Sequence, residues 1–75
     1  MVLNGVILIK TRPIDADEVV ARTRKLNGVR KVFQAYGRFD LVAFVEAADY
    51  AAVKNLTGEI NSVDGVRSTE TLVEA

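Results

Sequence analysis

The chain has 75 residues, 49% of them apolar and 27% charged, with no cysteine and no histidine. That describes one globular domain, residues 1–75, near the lower size limit for a self-sufficient core, with disulfides and thiolate metal sites excluded. The missing histidine also removes the commonest metal ligand and the commonest general base near neutral pH.

Net charge is zero, but unevenly spread. Residues 1–38 carry eight basic and three acidic side chains, a balance of +5; residues 39–75 carry two and seven, a balance of −5. Complementary halves fit a solvated surface, whereas a nucleic-acid face rests on uncompensated Lys and Arg. The longest apolar runs, Val6 to Ile9 and Leu41 to Val45, are far too short to span a membrane, and no signal peptide is visible. A cytoplasmic setting with no membrane partner is expected.

The first predicted strand is Leu3 to Thr11, whose run Val6-Ile7-Leu8-Ile9 asks for cover on both faces. A helix follows from "PIDADEVV". Asp15 is its expected N-cap, with Glu18 completing a box-like pattern. Ala16, Val19, Val20, Thr23 and Leu26 fall on one face at helical spacing. Gly28 is expected to end the helix in a left-handed conformation. The second strand is expected over Val29 to Tyr36 and the third over Phe39 to Ala47. Between them Gly37-Arg38 reads as a two-residue type II′ loop. Asp49 is the expected N-cap of the second helix, whose apolar stripe is Val53, Leu56, Ile60 and Val63. Gly58 interrupts that helix and costs it about 1 kcal/mol relative to Ala. The last strand, Val66 to Val73, is the most polar.

Two copies of one pattern underlie this order. "NGVR" at Asn27–Arg30 recurs as "DGVR" at Asp64–Arg67, with a helix before and a strand after each. Two strand-helix-strand units in one short chain predict a ferredoxin-like βαββαβ sandwich, an α+β fold with both helices on one sheet face. The first and third strands, the most apolar, are expected to be central and parallel to each other. They also present apolar residues to both faces: Val6 and Leu8 against Ile7 and Ile9, Val42 and Phe44 against Leu41, Ala43 and Val45. The face without helices should therefore meet another subunit.

Chemistry is sparsely represented. Acyl transfer by a Cys–His or Ser–His pair is excluded, and the phosphate-binding glycine motifs are absent. Asp15, Asp17 and Glu18 form the densest acidic cluster, which a helix start explains. An enzyme is not expected, nor an RNA-stacking platform. Phe39 and Phe44 sit five residues apart, on opposite faces of one strand, and the first strand has no aromatic. The stretch Tyr36-Gly37-Arg38-Phe39-Asp40 has two readings. In one it is a tight turn flanked by a cross-strand aromatic pair, Tyr36 and Phe39, with Arg38 a solvated tip and Asp40 bonding a local backbone N–H. In the other it is a small polar pocket, with backbone N–H groups near Gly37 for a carboxylate and Asp40 for an ammonium. Aspartate is disfavoured inside strands, and the turn reading accounts for Asp40 only partly.

The segments "VFQAYGRFDLVAFVEAAD" and "VDGVRSTETLVEA" resemble the ligand-sensing domain of the Lrp/AsnC family, the feast/famine regulators, also called the RAM domain. Gly37, Phe39, Asp40, Gly65, Val66, Thr69 and Thr71 sit where that pattern wants them. The resemblance implies a four-stranded antiparallel sheet, a dimeric α/β barrel made through the sheet faces, and octamer-like rings of dimers. It implies an amino-acid ligand held between dimers by Tyr36, Gly37, Arg38, Phe39 and Asp40, with Ser68, Thr69 and Thr71 as weaker additions, and no cofactor or metal. Full-length members place a helix-turn-helix before this domain. A chain opening at Met1 in the first strand resembles the stand-alone members, so direct DNA binding is not expected and co-assembly with a full-length regulator is. An assembly or adaptor module without ligand and an ACT-like regulatory domain are the alternatives; the hairpin between the second and third strands favours the RAM reading.

Overall fold

The computed structural model describes residues 2–74, so the first and last residues of the expected domain lie outside the described residues. Strand β1 (Leu3–Thr11) leads through a 3-10 turn (Pro13–Asp15) into helix α1 (Ala16–Arg24) and strand β2 (Val29–Gln34). Strand β3 (Leu41–Ala47), helix α2 (Tyr50–Asn61) and strand β4 (Val66–Val73) repeat that unit. The sheet order is β2-β3-β1-β4, the ferredoxin-like arrangement, and every neighbouring pair is antiparallel.

That corrects one expectation. β1 and β3 are the central strands, but they run antiparallel, from Leu3 opposite Ala47 to Ile9 opposite Leu41. The crossover through α1 makes β1 and β2 the parallel pair, and β3, returning from the hairpin, inserts between them.

Alternation along the central strands divides two apolar surfaces. Ile7, Ile9, Leu41, Ala43 and Val45 face the helices and are fully buried against Val19, Leu56 and Ile60. Each of the Ile, Leu and Val side chains contributes about 1.5–3 kcal/mol of burial. The opposite face carries Val6, Leu8, Phe33, Val42, Phe44 and Leu72, and there Phe33, Phe44 and Leu72 remain 43%, 40% and 55% exposed. The aromatic pair of the domain lies on this open face: Phe33 and Phe44, 5.4 Å apart and edge-to-face at 75°.

The helix starts differ from each other. Asp49 caps α2 as expected, its Oδ1 accepting from the Ala52 N–H at 2.8 Å. Asp15 does not cap α1. Pro13 starts a 3-10 turn there, which puts Asp15 in helical backbone geometry, and its carboxylate instead meets Arg12 Nε at 2.6 Å. Asp17 Oδ1 accepts from Gln34 Nε2 at 2.8 Å and Glu18 Oε1 from Arg22 Nε at 2.9 Å, so each member of the acidic cluster has its own partner.

The repeated glycines are joints between the two halves. Gly28 and Gly65 hold φ values of 100° and 99°, where only glycine is unstrained. The Gly28 carbonyl accepts from the Glu46 N–H at the end of β3 (2.8 Å), and the Gly65 carbonyl accepts from the Arg12 N–H just beyond β1 (3.4 Å). Each turn thus docks on the other repeat. At the β2 edge of the sheet, Arg24 Nη2 reaches back from α1 to the Val32 carbonyl at 3.1 Å. Among the described residues no helix is long and apolar enough to cross a membrane.

Candidate functional site

Residues 36–40 belong to a longer loop than a two-residue hairpin. β2 ends at Gln34 and β3 begins at Leu41, so Ala35 to Asp40 form the connection, closed by the Ala35 N–H donating to the Asp40 carbonyl at 2.8 Å. The last ladder pair is Gln34 with Leu41. Tyr36 and Phe39 are therefore not a cross-strand pair: Tyr36 is fully exposed and Phe39 is half-buried. Gly37 holds φ 123° with open space around it, so the loop needs glycine for its backbone and not for close packing. Arg38 is exposed, and its carbonyl accepts from Lys10 Nζ at 3.3 Å.

Asp40 anchors the loop to the end of β1. Its N–H donates to the Ile9 carbonyl at 3.0 Å, and its Oδ2 accepts from the Thr11 N–H at 2.9 Å. With its carbonyl accepting from the Ala35 N–H, Asp40 is thus tied both to the residue after β2 and to the end of β1. The carboxylate stands in for a β3 carbonyl, satisfying a strand-end N–H that the ladder no longer reaches. Asp40 thus bonds a backbone N–H as the turn reading expects, but one 29 residues away and not a local one. Its second oxygen retains acceptor capacity on the loop side.

The three hydroxyl residues of β4 are divided between the two faces of the sheet. Ser68 pairs with Lys10 and lies with it on the open face. Thr69 and Thr71 face α2: Thr69 Oγ1 donates to Asn61 Oδ1 at 3.0 Å, and Thr71 Oγ1 lies 2.9 Å from Thr57 Oγ1. Period-two alternation already separates Ser68 from the threonines; their helix partners depend on how α2 lies on the sheet, which no local pattern encodes. Four open clefts of about 340–520 Å³ are lined by residues other than 36–40. The loop itself is a projecting element, carrying an aromatic ring, a guanidinium and half of a carboxylate.

With this geometry in place, comparison with known proteins gives a consistent answer. The family model of the Lrp/AsnC ligand binding domain matches residues 4–74. The HTH-type transcriptional regulator LysM of Sulfurisphaera tokodaii is 25% identical over 72 residues, which cover 95% of this chain and 51% of LysM. The chain therefore spans about half the length of the curated relatives it matches. Among solved structures, TTHA0845 of Thermus thermophilus superposes with a TM-score of 0.93 at 28% identity, covering 97% of this chain and 92% of that one. The transcriptional regulator NMB0573 of Neisseria meningitidis, solved as its L-Met complex, superposes with a TM-score of 0.86 at 20% identity, over 97% of this chain and 49% of that one. With the family model matching residues 4–74, this chain belongs to the Lrp/AsnC ligand binding domain family.

Proposed function

We propose that this chain is a non-enzymatic regulatory domain that assembles through its open sheet face and binds an amino acid at the loop of Tyr36, Gly37, Arg38, Phe39 and Asp40. The observation that carries the reading is the loop's exposure: a single subunit offers an aromatic ring, a cation and a carboxylate oxygen without walls around them. A second dimer closing over the loop supplies those walls. The L-Met complex of the Neisseria regulator supports an amino-acid ligand. Modulation of transcription through a full-length Lrp/AsnC-type partner follows from the same kinship, and an octamer-like ring is the assembly that brings dimers together at their loops.

The open face itself favours one dimer orientation. Lys31, Phe44, Val6 and Leu72 form one row across the sheet, and Phe33, Val42, Leu8 and Glu70 the next. A two-fold axis parallel to the strands lays β2 of one copy over β4 of the other, with Lys31 of each copy over Leu72 of its mate and diagonal to its Glu70, one row away. An axis across the strands brings Lys31 near Lys31 and Glu70 near Glu70, which is repulsive. Lys31→Glu is therefore expected to weaken the dimer by roughly tenfold or more, and the double exchange Lys31→Glu with Glu70→Lys to restore it. Sedimentation velocity across a concentration series reads this directly; a double variant as weak as the single one rejects the orientation.

Ligand binding is tested by a calorimetric screen against the twenty amino acids. At least one should bind with saturable heat, and Asp40→Asn should lower that affinity while the dimer persists. A stable oligomer that ignores all twenty yet co-purifies with a full-length regulator selects the adaptor reading instead.

A further inference from the structure

The groove between α2 and the edge strand β4 has a volume of about 440 Å³, within the range of small-molecule sites. Its apolar walls come from Tyr50, Val53 and Val73. Its polar groups are specific in what they can do. Thr57 Oγ1 donates its one hydroxyl proton to the Val53 carbonyl at 3.0 Å. In the 2.9 Å contact between Thr57 and Thr71 the proton must therefore come from Thr71. Thr71 Oγ1 has then spent its donor, and what it offers the groove is an acceptor. Asn61 is the converse case: its Oδ1 is occupied by the Thr69 hydroxyl at 3.0 Å, which leaves its amide N–H groups as donors. Lys54 adds a cation at the rim.

Gly58, also lining the groove, points the same way. A glycine inside a helix weakens it by about 1 kcal/mol relative to Ala, a cost that a conformational or packing requirement can explain. Here it has neither within the chain: the positive-φ glycines are Gly28, Gly37 and Gly65, and a Cβ at position 58 would find nothing within 4 Å. Position 58 lines the groove, and a long side chain there would extend into space that the chain leaves empty.

We infer that the α2–β4 groove is a second ligand site, for a small zwitterion with an apolar side chain. The ammonium donates to Thr71, the carboxylate accepts from Asn61 and Lys54, and the aliphatic or thioether chain lies on Val53, Val73 and the Tyr50 ring. The ligand class is shared with the loop proposed above, but the groove belongs to a single subunit and needs no second dimer. The two sites therefore stand or fall separately.

The test is a titration of the isotopically labelled chain with L-leucine and L-methionine, followed by amide chemical shifts. Saturable shifts centred on Thr57, Gly58, Thr71 and Val73 are expected, and they should persist in Asp40→Asn. Gly58→Leu fills the groove while improving the helix. It should raise the melting temperature by about 4–8 °C and lower affinity at the groove at least tenfold. Thr71→Val, which removes the acceptor, should lower that affinity with the fold unchanged. Shifts confined to residues 36–40, no saturable shift with either amino acid at millimolar concentration, or undiminished groove affinity in either folded variant would each overturn the inference.

Discussion

Gly65→Ala is expected to be the most damaging single methyl in the molecule. A Cβ at Gly65 would lie 2.7 Å from the Asp15 Cβ, 3.1 Å from its Cγ and 3.2 Å from a Val19 methyl, at a φ of 99°. The left-handed backbone alone costs about 1 kcal/mol with a side chain present. The contact adds the overpacking penalty of about 1–3 kcal/mol, because the obstructing atoms sit near the backbone and cannot swing aside. A loss of about 2–4 kcal/mol is a large share of the stability of any domain this small. Gly37→Ala is the control: its φ is 123°, but nothing lies within 4 Å, so only the conformational cost of about 1 kcal/mol applies. Urea unfolding of the two variants should separate them clearly. Equal losses would mean that the close approach at Gly65 relaxes without cost.

Asp40→Ala carries the second large effect. It strips the Thr11 N–H of its acceptor at a position that is partly buried, and an orphaned donor costs about 1–3 kcal/mol. Asp40→Asn keeps a carbonyl oxygen in the same place and should lose less than half as much. The pair of variants divides the two roles of this residue. Stability should follow the presence of an acceptor oxygen, so that Asn resembles the native chain. Binding of an ammonium group should follow the charge, so that Asn resembles Ala. Denaturation midpoints and calorimetric affinities measured on both variants decide it. A loss of stability in Asn as large as in Ala would remove the hydrogen-bond account of the hairpin.

Much of the architecture was legible because it is written in period and repetition. The apolar alternation of residues 6–9 and 41–45 identified the two central strands and their two faces. The repeated Asn/Asp-Gly-Val-Arg located both helix exits. What escaped was decided by contacts between segments far apart in sequence. Asp15 has the residue pattern of a cap, but Pro13 and Arg12 redirect it. Gly37-Arg38 has the pattern of a two-residue turn, but Asp40 answers to Ile9 and Thr11, 29 residues away in the second case, and the ladder with β2 stops short. The direction of β1 against β3 is a property of the whole path of the chain and of no local stretch. The loop residues stand out in the sequence for their aromatic and charged groups, yet the same pattern could not tell that half of Asp40 is already committed. The threonines of β4 were noticed for their hydroxyls; that Thr57 and Asn61 stand across from them became visible only once α2 was laid on the sheet.

The reciprocal docking of the glycine turns also bears on how the domain is made and unmade. Gly28 closes the first repeat by bonding to the second, and Gly65 closes the second by bonding to the first. Each half contains a complete strand-helix-strand sequence, yet its two strands are not neighbours in the sheet: β3 of the second half lies between β1 and β2 of the first, and β1 lies between β3 and β4. The two repeats therefore behave as a single folding unit with no stable half-way species. Such a chain exposes its helix-side core all at once or not at all, which limits the time that core spends open to neighbouring chains.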